Sequence, residues 1–333
     1  MSSPSGLTAR SIVAPEVAQA IAEGRPVVAL ESTLISHGLP YPDNLEVALA
    51  SEAAVRASGA TPATVAIRDG RLLVGLDAAA IETLATAPAG SVRKAARPSL
   101  AMALAAGGWA ATTVSATMIA ASAAGIRVFA TGGVGGVHRG ALSGFGASGD
   151  GPTGGALGDG GAGAASFDIS SDLEELGRTP MAVVCAGPKA ILDVGATLEY
   201  LETRGVPVVS VGQPDVPGFF ARSSGIPAAE TVADLAGATA LVATHFELGL
   251  GGGVLVCVPV PEAAALPEDV ARAAVERAIS DGQRAGVAGP ALTPWLLDRI
   301  AVLTEGASLR ANRALIVNDA RCGGELAAGL IRA

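Results

Sequence analysis

Met181-Ala182-Val183-Val184-Cys185-Ala186-Gly187-Pro188-Lys189 is the stretch that decides the architecture. A short apolar run makes a buried strand, Gly187 ends it, and Pro188 suits the first position of a helix predicted to run to about Thr203. Another apolar run, Val206 to Val211, follows at once. The same alternation extends outward in both directions. Pro26-Val27-Val28-Ala29-Leu30-Glu31 reads as a buried strand, and Asp43 with Glu46 forms a capping box for a helix reaching Ala57. Thr64 to Leu76 predicts a hairpin turning at Arg68-Asp69-Gly70-Arg71. Arg127 to Thr131 and Gly253 to Val258 are further strands, and the last ~70 residues are mainly helical. Alternation of this kind means α/β layers. The expected fold is a three-layer α/β/α arrangement, a central mixed sheet covered by helices, in a single domain over residues 1–333.

Composition narrows the function. Of 333 residues, 50% are hydrophobic, and the formal net charge is −9. Such a chain is a poor nucleic-acid binder, which needs cations to replace counterions. Met1 to Arg10 has no basic segment followed by an apolar one, so no secretory signal is expected. Leu100 to Ile126 carries no charge and is long enough to span a bilayer. It is rich in Ala, Gly, Ser and Thr, and it reads as helix, strand and helix, so a cytoplasmic protein without membrane contact is expected. Cys185, Cys257 and Cys322 are widely spaced and read as buried reduced thiols. Ala141 to Ser166 is almost all Gly, Ala, Ser, Asp, Pro and Thr and is expected to be a flexible loop. Only Lys94 and Lys189 are lysines among the 22 basic residues. Arginine can replace lysine as a surface cation but not as an amine nucleophile.

Several segments can carry chemistry. Thr131 to Gly140 follows a strand, but it lacks the Gly-x-G-x-x-Gly spacing of a dinucleotide loop and the lysine of a P-loop. What remains is a backbone that can approach an anion, with His138 and Arg139 as added donors, or else a plain flexible turn. Lys189 lies at a strand's carboxyl end, where ligands bind in open α/β sheets. A helix N-terminus there disfavours an ammonium and suits a Schiff-base amine. The alternative is a surface lysine pairing with Asp193. Glu31 at another strand end is a candidate general acid/base, or an ordinary polar terminus. His37 falls in a loop, His245 has a structural role, and no His/Cys pair has zinc spacing. Asp168 and Asp172, four apart, suit a hard cation such as Mg²⁺ or Mn²⁺; helix capping by Ser170 or Ser171 explains the segment equally.

Taken together, these segments resemble the pseudouridine-5'-phosphate glycosidase family. The resemblance runs through Ala29 to Pro40, Thr112 to Met118, Phe129 to Gly140, Phe167 to Leu173, Val184 to Lys189, Leu198 to Thr203 and Ser308 to Asn312. It covers the chain from about residue 15 onward, and the main departure is an insertion of about 20 residues after Gly140. The resemblance implies reversible cleavage of the C–C bond between uracil C5 and ribose C1' of pseudouridine 5'-phosphate, by way of a lysine Schiff base. Residue by residue, it makes Lys189 the nucleophile, Glu31 the proton donor and Asn312 a third member of the catalytic pocket. Lys94, the Val114 backbone, Thr131, His138, Ser170, Ser171 and Asp172 would bind substrate, and Asp168 would hold one Mn²⁺ ion. The resemblance also implies a homotrimer. Two other readings stand beside it: another Schiff-base lyase or aldolase acting on a sugar phosphate, which would share Lys189, and a non-catalytic sugar-phosphate binder, for which the lysines would be dispensable.

Overall fold

Val27–Leu30, Ala182–Cys185, Val208–Val211 and Val254–Cys257 are four-residue strands in which every side chain is buried. Continuous apolar runs are what a parallel sheet needs when helices cover both faces. The computed structural model describes residues 6–141, 167–287 and 292–332. In chain order the strands are β1 (Ser11–Val13), β2 (Val27–Leu30), β3 (Thr61–Arg68), β4 (Arg71–Val74), β5 (Arg93–Ala95), β6 (Trp109–Thr112) and β7 (Val128–Ala130). Then come β8 (Val137–His138), β9 (Ala182–Cys185), β10 (Leu192–Asp193), β11 (Val208–Val211), β12 (Glu230–Val232) and β13 (Val254–Cys257).

The main sheet runs β1-β4-β3-β2-β7-β9-β13-β11-β12, with β6 also paired to β3, and β5 to β6. From β3 to β12 the pairing is parallel throughout. Strand β3 changes partner halfway. Thr61 to Thr64 pair parallel with β2, whereas Val65 to Arg68 pair antiparallel with β4. Its far half also pairs antiparallel with β6, so the sheet is mixed, as expected. The predicted hairpin is the β3–β4 pair, and its turn puts Asp69 at φ 48° and Gly70 at φ 78°. Both values suit a tight hairpin turn.

Alternate side chains feed two cores. Val27, Ala29, Val183, Cys185, Leu255 and Cys257 face one side, where the helix Val114–Ala123 and Leu201 of the helix Val194–Thr203 cover them. Val28, Leu30, Ala182, Val184, Val254 and Val256 face the other, under the helices Leu235–Leu248 and Ala307–Arg332. That is the three-layer arrangement. Phe129 of β7 is fully buried in the first core, and cutting it to Ala would cost about 3–5 kcal/mol. A third apolar cluster joins Ala186, Phe219 and Phe220 to Glu268–Arg284, Leu292–Leu303 and the first half of Ala307–Arg332.

Two local expectations change. The helix expected from Pro188 begins at Val194, where the Asp193 carboxylate accepts from the Ala196 amide and caps it. Lys189 therefore sits in the loop before the helix, and neither the helix-terminus argument nor a pairing with Asp193 applies. The helix Asp43–Ala57 is preceded by Pro42 and has no side-chain cap. Asp43 and Glu46 instead both pair with Arg313, each at 2.7 Å. Leu100 to Ile126 holds the helix Leu100–Ala106, β6 and the helix Val114–Ala123, in the expected order. Among the described residues no helix is long and apolar enough to cross a membrane. The Gly-rich loop expected over 141–166 lies, from residue 142 on, outside the described residues.

Candidate active site

Three neighbouring strands deliver three polar residues to one edge. Glu31 follows β2, Thr131 follows β7, and Lys189 comes four residues after β9. In the sheet these strands are adjacent, so their carboxyl ends converge, as they do where open α/β sheets bind ligands. The Thr131 hydroxyl donates to Glu31 Oε1. Glu31 is only 7% exposed. Burial pushes its carboxyl pKa up, and Asp172 adds to this, while Lys189, Thr131 and Lys94 pull it down.

Lys94 arrives from β5, which β6 holds against the far half of β3. It borders solvent, yet protein crowds it enough that burial lowers its pKa. Lys189 lowers it further, whereas Glu31 and Asp172 oppose. Glu31, Lys94, Lys189 and Asp172 thus lie within electrostatic reach of one another. Val114, fully buried, opens the helix Val114–Ala123, and the next amide, that of Ser115, donates to Asp172. Asn312 lies on the helix Ala307–Arg332 one turn before Ile316, so the two share a face. A Cβ placed on Gly132 would come within 2.9 Å of the Ile316 side chain, so that face packs against the loop after β7.

Asp172 organises the other side. Its Oδ1 accepts from the Ser115 amide at 3.0 Å and its Oδ2 from the Gly135 amide at 3.0 Å. Ser170 caps the short helix Ser171–Leu176, and the Ser171 hydroxyl lies 3.2 Å from that of Ser115. The Gly-rich loop is not a loose turn. A Cβ on Gly135 would lie 2.2 Å from Ser170 Oγ, and one on Gly133 would lie 2.6 Å from the Phe219 ring. The amides of Val134, Gly135, Val137 and His138 donate to Gly187 O, Asp172, Thr197 and Asp168 O. These glycines serve close packing, and much of the backbone expected to cradle an anion is already engaged. Arg139 is committed as well: its Nε donates to Leu192 O at 3.1 Å.

Asp168 and Asp172 do not form a joint cation site, because Asp172 is buried and bound to amides. Asp168 lies outside it, with its carboxylate 3.8 Å from His138 Nδ1 and its side chain 56% exposed. Among the described residues no group of three or more His, Cys, Asp or Glu side chains could hold a metal. Among the described residues Asp168 would offer a cation one carboxylate, and Mg²⁺ binds through one or two carboxylates while keeping several waters. His245 is structural, with Nε2 3.0 Å from Gly252 O.

His37, expected in a loop, stands at a helix end, and Asp319 carried no sequence signal. His37 ends the short helix Thr33–His37, and its pKa is lowered by burial and by Lys94. Asp319 is fully buried on the helix Ala307–Arg332, and neither of its carboxyl oxygens has a hydrogen-bond partner among the described residues. Burial, with Cys185 as a second cause, pushes its pKa well above the carboxylate range. The Ala186 amide, which donates to Gly132 O, opposes this. Cys185 and Cys257, side by side on β9 and β13, are buried free thiols as expected, and so is Cys322.

The chain is similar to known proteins in sequence and fold. The family model for indigoidine synthase A-like proteins matches residues 16–151 and 152–329. A pseudouridine-5'-phosphate glycosidase from Paracoccus denitrificans is 50% identical over 96% of this chain and 97% of its own. One from Caldanaerobacter subterraneus is 48% identical over 95% of each. Among solved structures, the prealnumycin C-glycosynthase AlnA in complex with ribulose 5-phosphate superposes with a TM-score of 0.83 at 37% identity, covering 97% of both chains. An indigoidine synthase A-like protein from Thermotoga maritima gives 0.80 at 29% identity, again over 97% of both. On this identity and coverage, the chain belongs to the indigoidine synthase A-like family, with the pseudouridine-5'-phosphate glycosidases as its relatives.

Proposed function

We propose that this chain is an enzyme that reversibly cleaves the C–C glycosidic bond of pseudouridine 5'-phosphate, giving uracil and ribose 5-phosphate. The observation that carries the reading is that Glu31 and Lys189, after the carboxyl ends of β2 and β9, meet Lys94 of β5 and Asp172 of the helix Ser171–Leu176 within electrostatic reach. The leaving atom of this substrate is carbon and has no lone pair to protonate, so the acid chemistry of ordinary glycosidases does not apply. Covalent catalysis by an amine does. Glu31, whose protonated form burial favours, gives its proton to the ribose ring oxygen as the C1'–O bond breaks and the ring opens. The Lys189 nitrogen, entering as the neutral amine, bonds to C1' and loses one proton to solvent, so that it keeps a lone pair. The C1'–C5 bond then breaks: its electron pair stays with uracil, C5 gains a proton, and the lysine nitrogen's lone pair forms the imine. Water hydrolyses the imine, releases ribose 5-phosphate and frees the amine.

In this reading Lys94, the Val114 amide, Thr131, His138, Ser170, Ser171 and Asp172 bind and orient the substrate, and Asn312 completes the pocket. Asp168 would hold a divalent cation, Mn²⁺, which would supply positive charge for the sugar phosphate. The trimer belongs to the same proposal, and sedimentation of the purified protein tests it. The likeness to AlnA supports examining bond formation too, from uracil and ribose 5-phosphate. The deciding experiment supplies pseudouridine 5'-phosphate and Mn²⁺ and measures uracil. Uracil should appear with the phosphorylated substrate and far more slowly with pseudouridine; no release from either overturns the reading.

A further inference from the structure

A cavity of about 10 Å³ adjoins Glu31, and Thr131, Ser51, Thr64 and Ile316 also line it. A space of that size holds roughly one water, provided that polar groups surround it. Four of its lining residues, Glu31, Thr131, Ser51 and Thr64, carry polar side chains that can partner one water, while Leu30, Leu34, Ile35, Ala48, Ala130 and Ile316 make the rest of the wall apolar. The Ser51 hydroxyl donates to Val47 O at 2.8 Å, which leaves its oxygen able to accept. The Thr64 hydroxyl donates to Glu52 Oε1 at 2.6 Å. Glu52 lies on the helix Asp43–Ala57, half-buried, with Arg56 and Glu16 as charged neighbours at the surface. A chain of polar groups therefore leads from Glu31 through one cavity and one hydroxyl to a carboxyl near solvent.

We propose that Glu52 and Thr64, with one water in this cavity, form a proton relay between Glu31 and solvent. The inference rests on reading Glu31 as the acid. Glu31 is 7% exposed, so a substrate in the cleft closes its direct route to water. In the relay, the Glu52 carboxyl passes its proton to Thr64 Oγ1, the Thr64 hydroxyl passes its own to the water, and the water passes one to Glu31. Only the end groups change: Glu31 gains a proton and Glu52 loses one, which solvent restores. Burial and Glu16 favour the protonated form of Glu52, against Thr64 and Arg56. At the other end, Lys189, Lys94, Asp172 and Thr131 face Glu31. Glu52 and Thr64 touch no substrate in this scheme and act only through Glu31.

The test compares Thr64→Val, Thr64→Ser and Glu52→Gln with the parent protein. Thr64→Val should lower kcat about tenfold, a fraction of what an acid contributes, with KM within about twofold. Thr64→Ser, which keeps the hydroxyl, should recover most of that loss, and Glu52→Gln should behave like Thr64→Val. Infrared spectroscopy gives a second readout, the carbonyl band of protonated Glu31 identified by its loss in Glu31→Gln. On transfer to D2O that band should shift more slowly in Thr64→Val than in the parent. Lower thermal stability with kcat and exchange unchanged makes both residues merely structural and overturns the relay. If Thr64→Val does not fold, Glu52→Gln decides alone. If the parent releases no uracil, the proposed function falls, and the exchange rates still decide the relay.

Discussion

Glu31 and Asp319 are two carboxyl groups buried in one protein, and burial pushes both toward the protonated form. Their surroundings differ. Glu31 stands at the open ends of β2 and β7, takes a hydrogen bond from Thr131 and feels two lysines. Asp319 is closed off on a helix, without a hydrogen-bond partner among the described residues and with a sulfur as its polar neighbour. Burial alone makes an acid that keeps its proton. The pull of Lys189, Thr131 and Lys94 against burial makes one that can release it, and that is what a proton donor needs.

The hardest blow to this contrast is Lys189→Arg. It keeps a cation near Glu31 and removes the amine, and kcat should fall at least about 10³-fold. Borohydride with ribose 5-phosphate should fix an adduct on Lys189 in the parent protein; an adduct elsewhere shifts the nucleophile's role to that residue. Glu31→Gln comes next, with a loss of about 10²–10⁴-fold in kcat. A smaller loss would make Glu31 no more of an acid than Asp319.

Asp319→Asn sharpens the other side, and stability against pH measures it. Both carboxyl groups have folded-state pKa values above their unfolded ones. Each therefore contributes stability that is fully present below its unfolded pKa and lost as pH rises through its folded one. As pH rises above the unfolded carboxylate values, about 4, the parent should lose stability, by up to about 1.4 kcal/mol per unit for each such group. Asp319→Asn should flatten that slope; an unchanged slope means that Asp319 ionises freely. The smallest effect is expected at Arg313→Ala. It removes the ion pairs with Asp43 and Glu46, which are partly exposed and screened by solvent, and should cost about 0.2–1 kcal/mol in denaturant unfolding.

Much of this was legible in the sequence wherever it depended on neighbours along the chain. Apolar runs marked β2, β7, β9, β11 and β13, and a Gly-containing turn marked the β3–β4 hairpin. Glu31 and Lys189 were conspicuous because each follows such a run. The helix after Lys189 was placed six residues early. Pro188 can open a helix, but Leu192 and Asp193 pair instead with β8, and Asp193 then caps a later start. The capping box at Asp43 failed because Arg313, 270 residues away in sequence, takes both carboxylates. Lys94 carried only its rarity as a signal. Its place depends on β3 changing partners halfway, and no local pattern announces that. Asp319 and the Glu52–Thr64 pair were silent, since each owes its character to what packs around it.

The helix Ala307–Arg332 crosses the strand ends late in the chain, with Ile316 against Gly132 and Gly323 against Ala130 and Val28. During synthesis the strands emerge long before it does. A nascent chain can pair β2, β7 and β9 while Gly132, Ala130 and Val28 still face water. Glu31 reaches its finished surroundings only after this helix, about 280 residues further on, has left the ribosome. A chain stopped short of this helix would expose the apolar second core, a mark by which chaperones and proteases recognise unfinished products.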